Sequence, residues 1–420
     1  MLTATEDTFY ALNPWWNGRR PDTGVPREEY LNSLAVSLQR PQINVLIGSR
    51  RIGKTTLLRQ LVLRLIDEGT DPSDILYLAL DHPRLVGSPL SAHLHAFRGV
   101  FGHARDRRLH LFLDEVQESP GWEAELKSLY DTENVKMVCS GSTAALVASQ
   151  GGKLTGRQLV STVHPLSFRE FLSFRGVPVV RGESYRYERL VEEYLQVGGY
   201  PENVLDPSEE YLQNLLQDIL ARDLVRLYDV RRSGLLMDLL RLVAAGVGSR
   251  TSFSKLAKVL GLAVDTVRDY LGYFESAFLV RTLGKWTPSH TERVYASRKF
   301  YLADTGLKAL LTGPGDLGAK AETAVFMHLL RKGEQTGYFA ESEREVDFVL
   351  GDERAPRPLE VKYTDGLAPA DRRLSGLQLL LRRHPATKAV RIVSRTQEAT
   401  FELGGVSAEV TPLWRFLLEP

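Results

Sequence analysis

Residues 48–55 read Gly-Ser-Arg-Arg-Ile-Gly-Lys-Thr and fill every fixed position of the pattern G-x-x-x-x-G-K-[ST]. Gly48 and Gly53 permit turn geometry and close approach of main chain to a ligand. The successive N–H groups of Ser49, Arg50, Arg51 and Ile52 can then converge on an anion, helped by the N-terminus of the helix that follows. Lys54 is expected to reach the β- and γ-phosphates of a ligand, and Thr55 to offer its hydroxyl to Mg²⁺, with Thr56 beside it. Arg50 and Arg51 either add positive potential or face solvent. A glycine loop that merely opens a helix shares part of this pattern. The apolar run Ile43–Ile47 before it and the helix-like Thr55–Leu65 after it favour the phosphate reading.

A second motif, Leu109–Glu115, is an apolar strand ending in two carboxylates at the edge where α/β sheets place their ligands. Asp114 is expected to support Mg²⁺, directly or through water. Glu115 is expected to polarise the attacking water. An acidic pair after a strand is alternatively the cap region of a helix. A third run, Val135–Ser142, ends in Ser140 and Ser142, which either contact the γ-phosphate or water, or form an ordinary Ser-Gly turn.

The elements that must position these groups are legible as five apolar runs: Ile43–Ile47, Ile75–Leu80, Leu109–Leu113, Val135–Cys139 and Leu159–Val163. Each is about strand length and mostly apolar on both faces, as strands buried between helix layers are. Thr55–Leu65, Pro89–Phe101, Trp122–Asp131 and Thr143–Ala148 read as crossover helices. The expected fold class is α/β: a P-loop parallel sheet core, then a winged helix-turn-helix, then a small α/β restriction-endonuclease-like domain. Helical stretches in 185–245 are expected to extend the first domain, giving boundaries at 1–235, 236–290 and 300–420.

In the middle stretch, Phe253, Leu256, Ala257 and Leu260 share one helix face, Gly261 breaks the helix, and Val267, Tyr270, Leu271 and Phe274 resume the pattern. A strand-like run follows at 278–283. This order describes a winged helix-turn-helix. Its second helix would present Asp265, Thr266, Arg268 and Asp269 outward, with Lys255, Lys258, Arg268 and Arg281 as phosphate anchors on DNA. The alternative is a module that relays motion or contacts protein.

Further on, period-two geometry puts Glu360 and Lys362 on one strand face, with Asp347 on an adjacent run and Glu322 on an upstream helix. The set resembles the D…E-x-K arrangement of restriction-endonuclease-like nucleases. Asp347 and Glu360 would then bind metal, and Lys362 would orient water at a phosphodiester. The alternatives are an ordinary ion pair and a decayed nuclease fold that only holds DNA.

Composition sets the frame. The chain has 420 residues, 43% hydrophobic and 25% charged, which excludes a disordered, collagen-like or disulfide-scaffold protein. Lys and Arg number 53 against 52 Asp and Glu, so DNA contact needs a local basic patch. One cysteine, Cys139, excludes an internal disulfide and fits a reducing compartment. No signal peptide and no uninterrupted apolar run of ~18 residues is seen, so the expectation is a cytoplasmic protein that avoids membranes. Trp15 and Trp16 read as packing residues.

Several motifs follow one another in a family-specific order: NPWW at 13–16, GSRRIGKTT at 48–56, FLDEVQ at 112–117, SGS at 140–142, L-x-GR at 154–157, PLSFREF at 165–171, GGYPE at 198–202 and RDL at 222–224. The chain thereby resembles the prokaryotic AAA-type ATPases that join an archaeal-ATPase-like P-loop core to a C-terminal DUF4143-like, restriction-endonuclease-like domain. The resemblance implies binding and hydrolysis of ATP with Mg²⁺. It also implies an arginine finger from the same or a neighbouring subunit, with Arg157 and Arg222 as candidates and a homo-oligomer as the setting. A surface salt bridge is the alternative for each arginine. The combined expectation is an ATPase acting on or controlled by DNA. A nucleotide-controlled scaffold switch and a DNA-binding regulator with an inactive nuclease fold are the alternatives.

Overall fold

A computed structural model describes residues 4–141, 154–180, 182–230 and 232–419. Ser142 and the expected helix at 143–148 lie outside the described residues. The chain separates into two compact units, residues 1–163 and 164–420. The helices of 185–245, expected with the first domain, belong to the second unit.

The first unit is built on β1 (Ile43–Ile47), β2 (Ile75–Ala79), β3 (Leu109–Asp114), β4 (Val135–Gly141) and β5 (Gln158–Thr162). Their order is β2-β3-β4-β1-β5, and every neighbouring pair is parallel. The five strands coincide with the five apolar runs. β1 is buried at every residue, as a strand covered on both faces must be. Helix Lys54–Asp67 packs on the neighbouring β3 and β4 and buries Leu57, Leu58, Leu61 and Val62 completely. Because the strands run the same way, their C-terminal ends share one edge. Leu46 pairs with Ser140, Leu113 with Cys139 and Ala79 with Asp114. β4 therefore stands between the loop that leaves β1 and the carboxylates that end β3.

β2 is an edge strand, with main-chain groups that need partners. The segment NPWW supplies them. Asn13 accepts from Tyr77 N–H at 2.7 Å and donates to Tyr77 carbonyl at 3.0 Å. Trp16 donates its indole N–H to Ile75 carbonyl at 2.9 Å, and its ring stacks on Phe97. Trp16 thus packs, as expected, and also completes the edge.

The second unit contains two sheets. The smaller holds β6 (Arg250–Thr251), β7 (Val280–Leu283) and β8 (Arg298–Leu302) in the antiparallel order β6-β8-β7. Beside it lie helices Phe253–Leu260 and Val264–Ser276, separated by Gly261 at φ +65°. Their buried residues include Leu256, Ala257, Val267, Leu271 and Phe274, the faces that the spacing predicts. The larger sheet holds β9 (Thr336–Glu341), β10 (Arg344–Leu350), β11 (Arg357–Lys362), β12 (Ala389–Ser394), β13 (Ala399–Leu403) and β14 (Val406–Pro412), in the order β13-β14-β12-β11-β10-β9. The hairpin β13–β14 was not anticipated: β13 is an edge strand with mixed burial and no apolar run. Among the described residues no helix is long and apolar enough to cross a membrane.

The GGYPE motif has a packing explanation. Asp304 is buried and accepts from Gly199 N–H at 2.6 Å and Leu307 N–H at 3.0 Å. A Cβ on Gly198, whose φ is +78°, would lie 2.3 Å from Asp304 Oδ1, and one on Gly306 would lie 2.3 Å from Val197 carbonyl oxygen. Both clashes are against groups that cannot move aside. Gly198→Ala is therefore expected to destabilise the second unit by about 3 kcal/mol, from overpacking plus the left-handed backbone. Gly234→Ala, in a helix with nothing near the added methyl, is expected to be neutral or to stabilise by up to about 1 kcal/mol. Urea unfolding of both variants checks the contrast.

Candidate functional site: a phosphate loop beside a buried carboxylate

The loop between β1 and helix Lys54–Asp67 is tight by necessity. A Cβ on Gly48 would sit 2.5 Å from Val163 carbonyl oxygen. Gly53 takes φ +97° and caps the helix. Between them Arg51 adopts φ +55°, an uncommon conformation for a residue with a Cβ. Ile52 is fully buried and anchors the turn. Its carbonyl accepts from Arg27 Nη1 at 3.2 Å, and the Arg27 guanidinium lies 4.5 Å over the Tyr30 ring. Lys54 is 6% exposed, with Nζ donating to the Gly48 and Ser49 carbonyls at 3.0 Å each. Its charge is thus held over the loop. Ser49 is buried, Arg50 is half-buried, and Arg51 and Thr56 are exposed.

Asp114 is the centre of the neighbouring site. The residue is 4% exposed and accepts three hydroxyl hydrogen bonds. Thr55 Oγ1 and Tyr77 OH donate to Oδ2 at 2.7 and 2.9 Å, and Ser140 Oγ donates to Oδ1. Burial, and then the charge of Asp114, hold the Tyr77 hydroxyl far above the usual phenol range, so it acts as a donor at neutral pH. Ser140 also accepts from Glu115 N–H at 3.3 Å. Glu115 itself takes the left-handed conformation, φ 53° and ψ 50°. Its carboxylate accepts from Gln117 Nε2 at 2.5 Å. Thr55 and Asp114 bring a hydroxyl and a carboxylate oxygen together, a hard-oxygen donor set suited to Mg²⁺.

The structure thus brings Gly48–Thr55, Asp114, Glu115 and Ser140 to one sheet edge. It does not bring Arg157 there. Arg157 carbonyl accepts from Ile43 N–H at 2.8 Å, at the first residue of β1, so it lies at the opposite, N-terminal edge of the parallel sheet. Its guanidinium pairs with Asp131 at 3.0 Å. Arg222 belongs to the second unit, is exposed, and lies 3.5 Å from Asp218 in a π-helical turn. Tyr77 and Arg27 were not anticipated. Tyr77 reads as one more apolar strand residue, and Arg27 lies in a polar stretch with no motif.

In the second unit, Asp347, Glu360, Lys362 and Glu322 do come together, but around ammonium groups. Lys362 Nζ lies 2.5 Å from Glu360 Oε1 and 3.5 Å from Asp347 Oδ2. Glu360 Oε2 accepts from Asp347 N–H at 3.2 Å, and Asp347 Oδ2 from Val361 N–H at 3.0 Å. Lys299, absent from the sequence-based expectation, lies on β8 and contacts Asp347, Glu322 and Glu345. Burial opposes ionisation of Asp347, yet the two lysines hold its carboxyl below the usual range. Glu322 and Glu360 are pushed above theirs, first by burial and then by the charge of Asp347. Among the described residues, no group of three or more His, Cys, Asp or Glu side chains is disposed to hold a metal ion. The metal-ligand roles expected for Asp347 and Glu360 therefore meet a different arrangement, in which lysines and main-chain N–H groups take the carboxylate oxygens.

Two of the four expected phosphate anchors are also committed elsewhere. Arg268 pairs with Asp265 at 2.7 Å. The Arg281 guanidinium donates to Glu275 carbonyl at 3.0 Å and lies 4.3 Å from the centre of the Phe278 ring. Lys255 and Lys258 are exposed.

Comparison with known proteins agrees with the first unit's geometry. Residues 40–172 match an AAA domain. Residues 188–318 match a domain of unknown function, DUF8612, and residues 317–416 another, DUF4143. An uncharacterised protein of Haemophilus influenzae is 26% identical over 348 residues, covering 77% of this chain and 83% of its own. Uncharacterised protein MJ1544 of Methanocaldococcus jannaschii is 26% identical over 335 residues, covering 76% and 74%. Among solved structures, the Walker-type ATPase PABY2304 of Pyrococcus abyssi is similar at 16% identity and a TM-score of 0.43, covering 70% of this chain and 98% of its own. The chain therefore carries an AAA-type P-loop ATPase domain near its start and a DUF4143 domain at its C-terminal end.

Proposed function

We propose that the chain is a Mg²⁺-dependent ATPase whose nucleotide state controls the second unit. The observation that carries this reading is the Thr55–Asp114 hydrogen bond, which joins the phosphate loop to the acidic end of β3. In this reading the N–H groups of 49–53 cradle the phosphates, and Lys54 exchanges the Gly48 and Ser49 carbonyls for phosphate oxygens. Thr55 and Asp114 would hold Mg²⁺, which when bound neutralises charge on the β- and γ-phosphate oxygens. Glu115 positions a water for in-line attack: the water oxygen bonds to the γ-phosphorus, the bond to the bridging oxygen breaks, and Glu115 accepts the proton. Ser140, which touches both Asp114 and the Glu115 N–H, links the metal-side and water-side groups. An arginine finger from Arg157 acts in this reading only on a neighbouring subunit's nucleotide, because its own loop is at the other sheet edge.

The helices 253–260 and 264–276 with β6, β7 and β8 are read as a winged helix. Contact with DNA through Lys255 and Lys258 is one proposal for its role. The commitment of Arg268 and Arg281 to neighbours within the module favours the second proposal, a switch that contacts protein.

Lys54→Ala is expected to abolish ATP turnover, and unchanged turnover would remove the assignment. Glu115→Gln is expected to bind ATP yet lose about 10²–10⁴ in turnover, measured by phosphate release. Tyr77→Phe removes a bond to a buried carboxylate, so it is expected to lower the first unit's stability by about 1–3 kcal/mol in urea unfolding. If DNA is the partner, duplex or single-stranded DNA stimulates turnover and the effect fades with salt. Turnover indifferent to every DNA form favours the protein switch.

A further inference from the structure

Lys299 is fully buried and its ammonium makes contacts at 3.1–3.3 Å with three carboxylates: Asp347 Oδ1, Glu322 Oε1 and Glu345 Oε1. The ammonium donates hydrogen bonds to Asp347 and Glu322 and pairs with Glu345 by charge. We infer that Lys299 is the built-in cation of this carboxylate cluster, standing where a divalent ion would otherwise balance the charge and closing the D…E-x-K set to phosphodiester cleavage.

The surrounding strands are shaped for this role. Tyr301, two residues further along β8 and therefore on the same face, donates to Glu322 at 2.6 Å. Arg250, the register partner of Lys299 on β6, pairs with Glu345 at 3.0 Å. Lys362 serves Glu360 and Asp347 from the other side. With Lys299 set aside, the charged partners left to Glu322, Glu345, Asp347 and Glu360 among the described residues are Lys362 and Arg250. The cluster is then short of positive charge, a shortage that a divalent ion such as Mg²⁺ or Mn²⁺ relieves. With Lys299 in place, a divalent ion would have to displace an ammonium with no exposed surface. The same residue joins the small sheet to the large one, because Lys299 and Arg250 come from β8 and β6, while Glu345 and Asp347 come from β10. The cluster is therefore an internal joint of the second unit.

The test uses full-length protein without nucleotide and Mn²⁺ as the probe, with bound metal read by electron paramagnetic resonance. Wild type and Asp347→Asn are expected to take up the same Mn²⁺, and neither to cut plasmid or single-stranded DNA with Mg²⁺ or Mn²⁺. Lys299→Met is expected to gain one Mn²⁺ per chain, lost again when Asp347→Asn is added. Folding of Lys299→Met only in the presence of Mn²⁺ supports the proposal equally. Asp347-dependent Mn²⁺ uptake or DNA cleavage by wild type overturns it, as does a folded Lys299→Met that gains no metal. Should that variant not fold in either condition, the comparison of wild type with Asp347→Asn decides.

Discussion

A buried carboxylate cannot be left without donors, and Asp114 meets that constraint with three hydroxyls from three different elements. Thr55 comes from the helix after the loop, Tyr77 from β2 and Ser140 from β4. Satisfying one side chain thereby ties β2, β3, β4 and the loop helix together at the C-terminal edge of the sheet. The strand order is what makes this affordable: β4 lies between β1 and β3, so its terminal serine is within reach of both the loop and the acidic pair. Charge is treated the same way on the loop side. Lys54 is held by two main-chain carbonyls, so a nearly buried ammonium keeps strong acceptors.

The second unit solves a harder version of the same problem. Four carboxylates meet around Lys299, Lys362 and Arg250, with Lys299, Asp347 and Glu360 buried and Glu345, Lys362 and Arg250 partly open to water. Removing one partner of such a network leaves an uncompensated charge, which costs about 3–5 kcal/mol. The network also joins the two sheets of the unit, since Lys299 and Arg250 come from the small sheet and two of its carboxylates from the large one. The Gly198–Asp304–Gly306 joint imposes a comparable requirement by shape, since its glycines admit no side chain.

Much of the first unit was legible in the sequence because its signals are local. A buried parallel strand reads as a continuous apolar run, and the phosphate loop is a contiguous motif whose glycines answer to real backbone demands at 48 and 53. Less legible were contacts between residues distant in sequence. Tyr77 carries no mark distinguishing it from a packing tyrosine, and the pairing of Arg157 with Asp131 depends on where β5 enters the sheet. Period-two spacing puts Glu360 and Lys362 on one face, and Asp347 and Glu322 lie beside them, but their partner Lys299 lies 48 residues before Asp347 and reads as one polar residue in a short strand. Spacing can place carboxylates on one face; it does not reveal which cation answers them.

The strap at Asn13 and Trp16 has a consequence for how the first unit senses its own leading segment. Asn13 grips the main chain of Tyr77, and the side chain of that same tyrosine grips Asp114. Three covalently remote points are therefore in mechanical series: a peptide ahead of the first strand, the rim of the sheet, and the acid beside the phosphate loop. A tag, nick or docking partner that pulls the strap loose would free the main chain of Tyr77 and with it one of the three hydroxyl donors of Asp114.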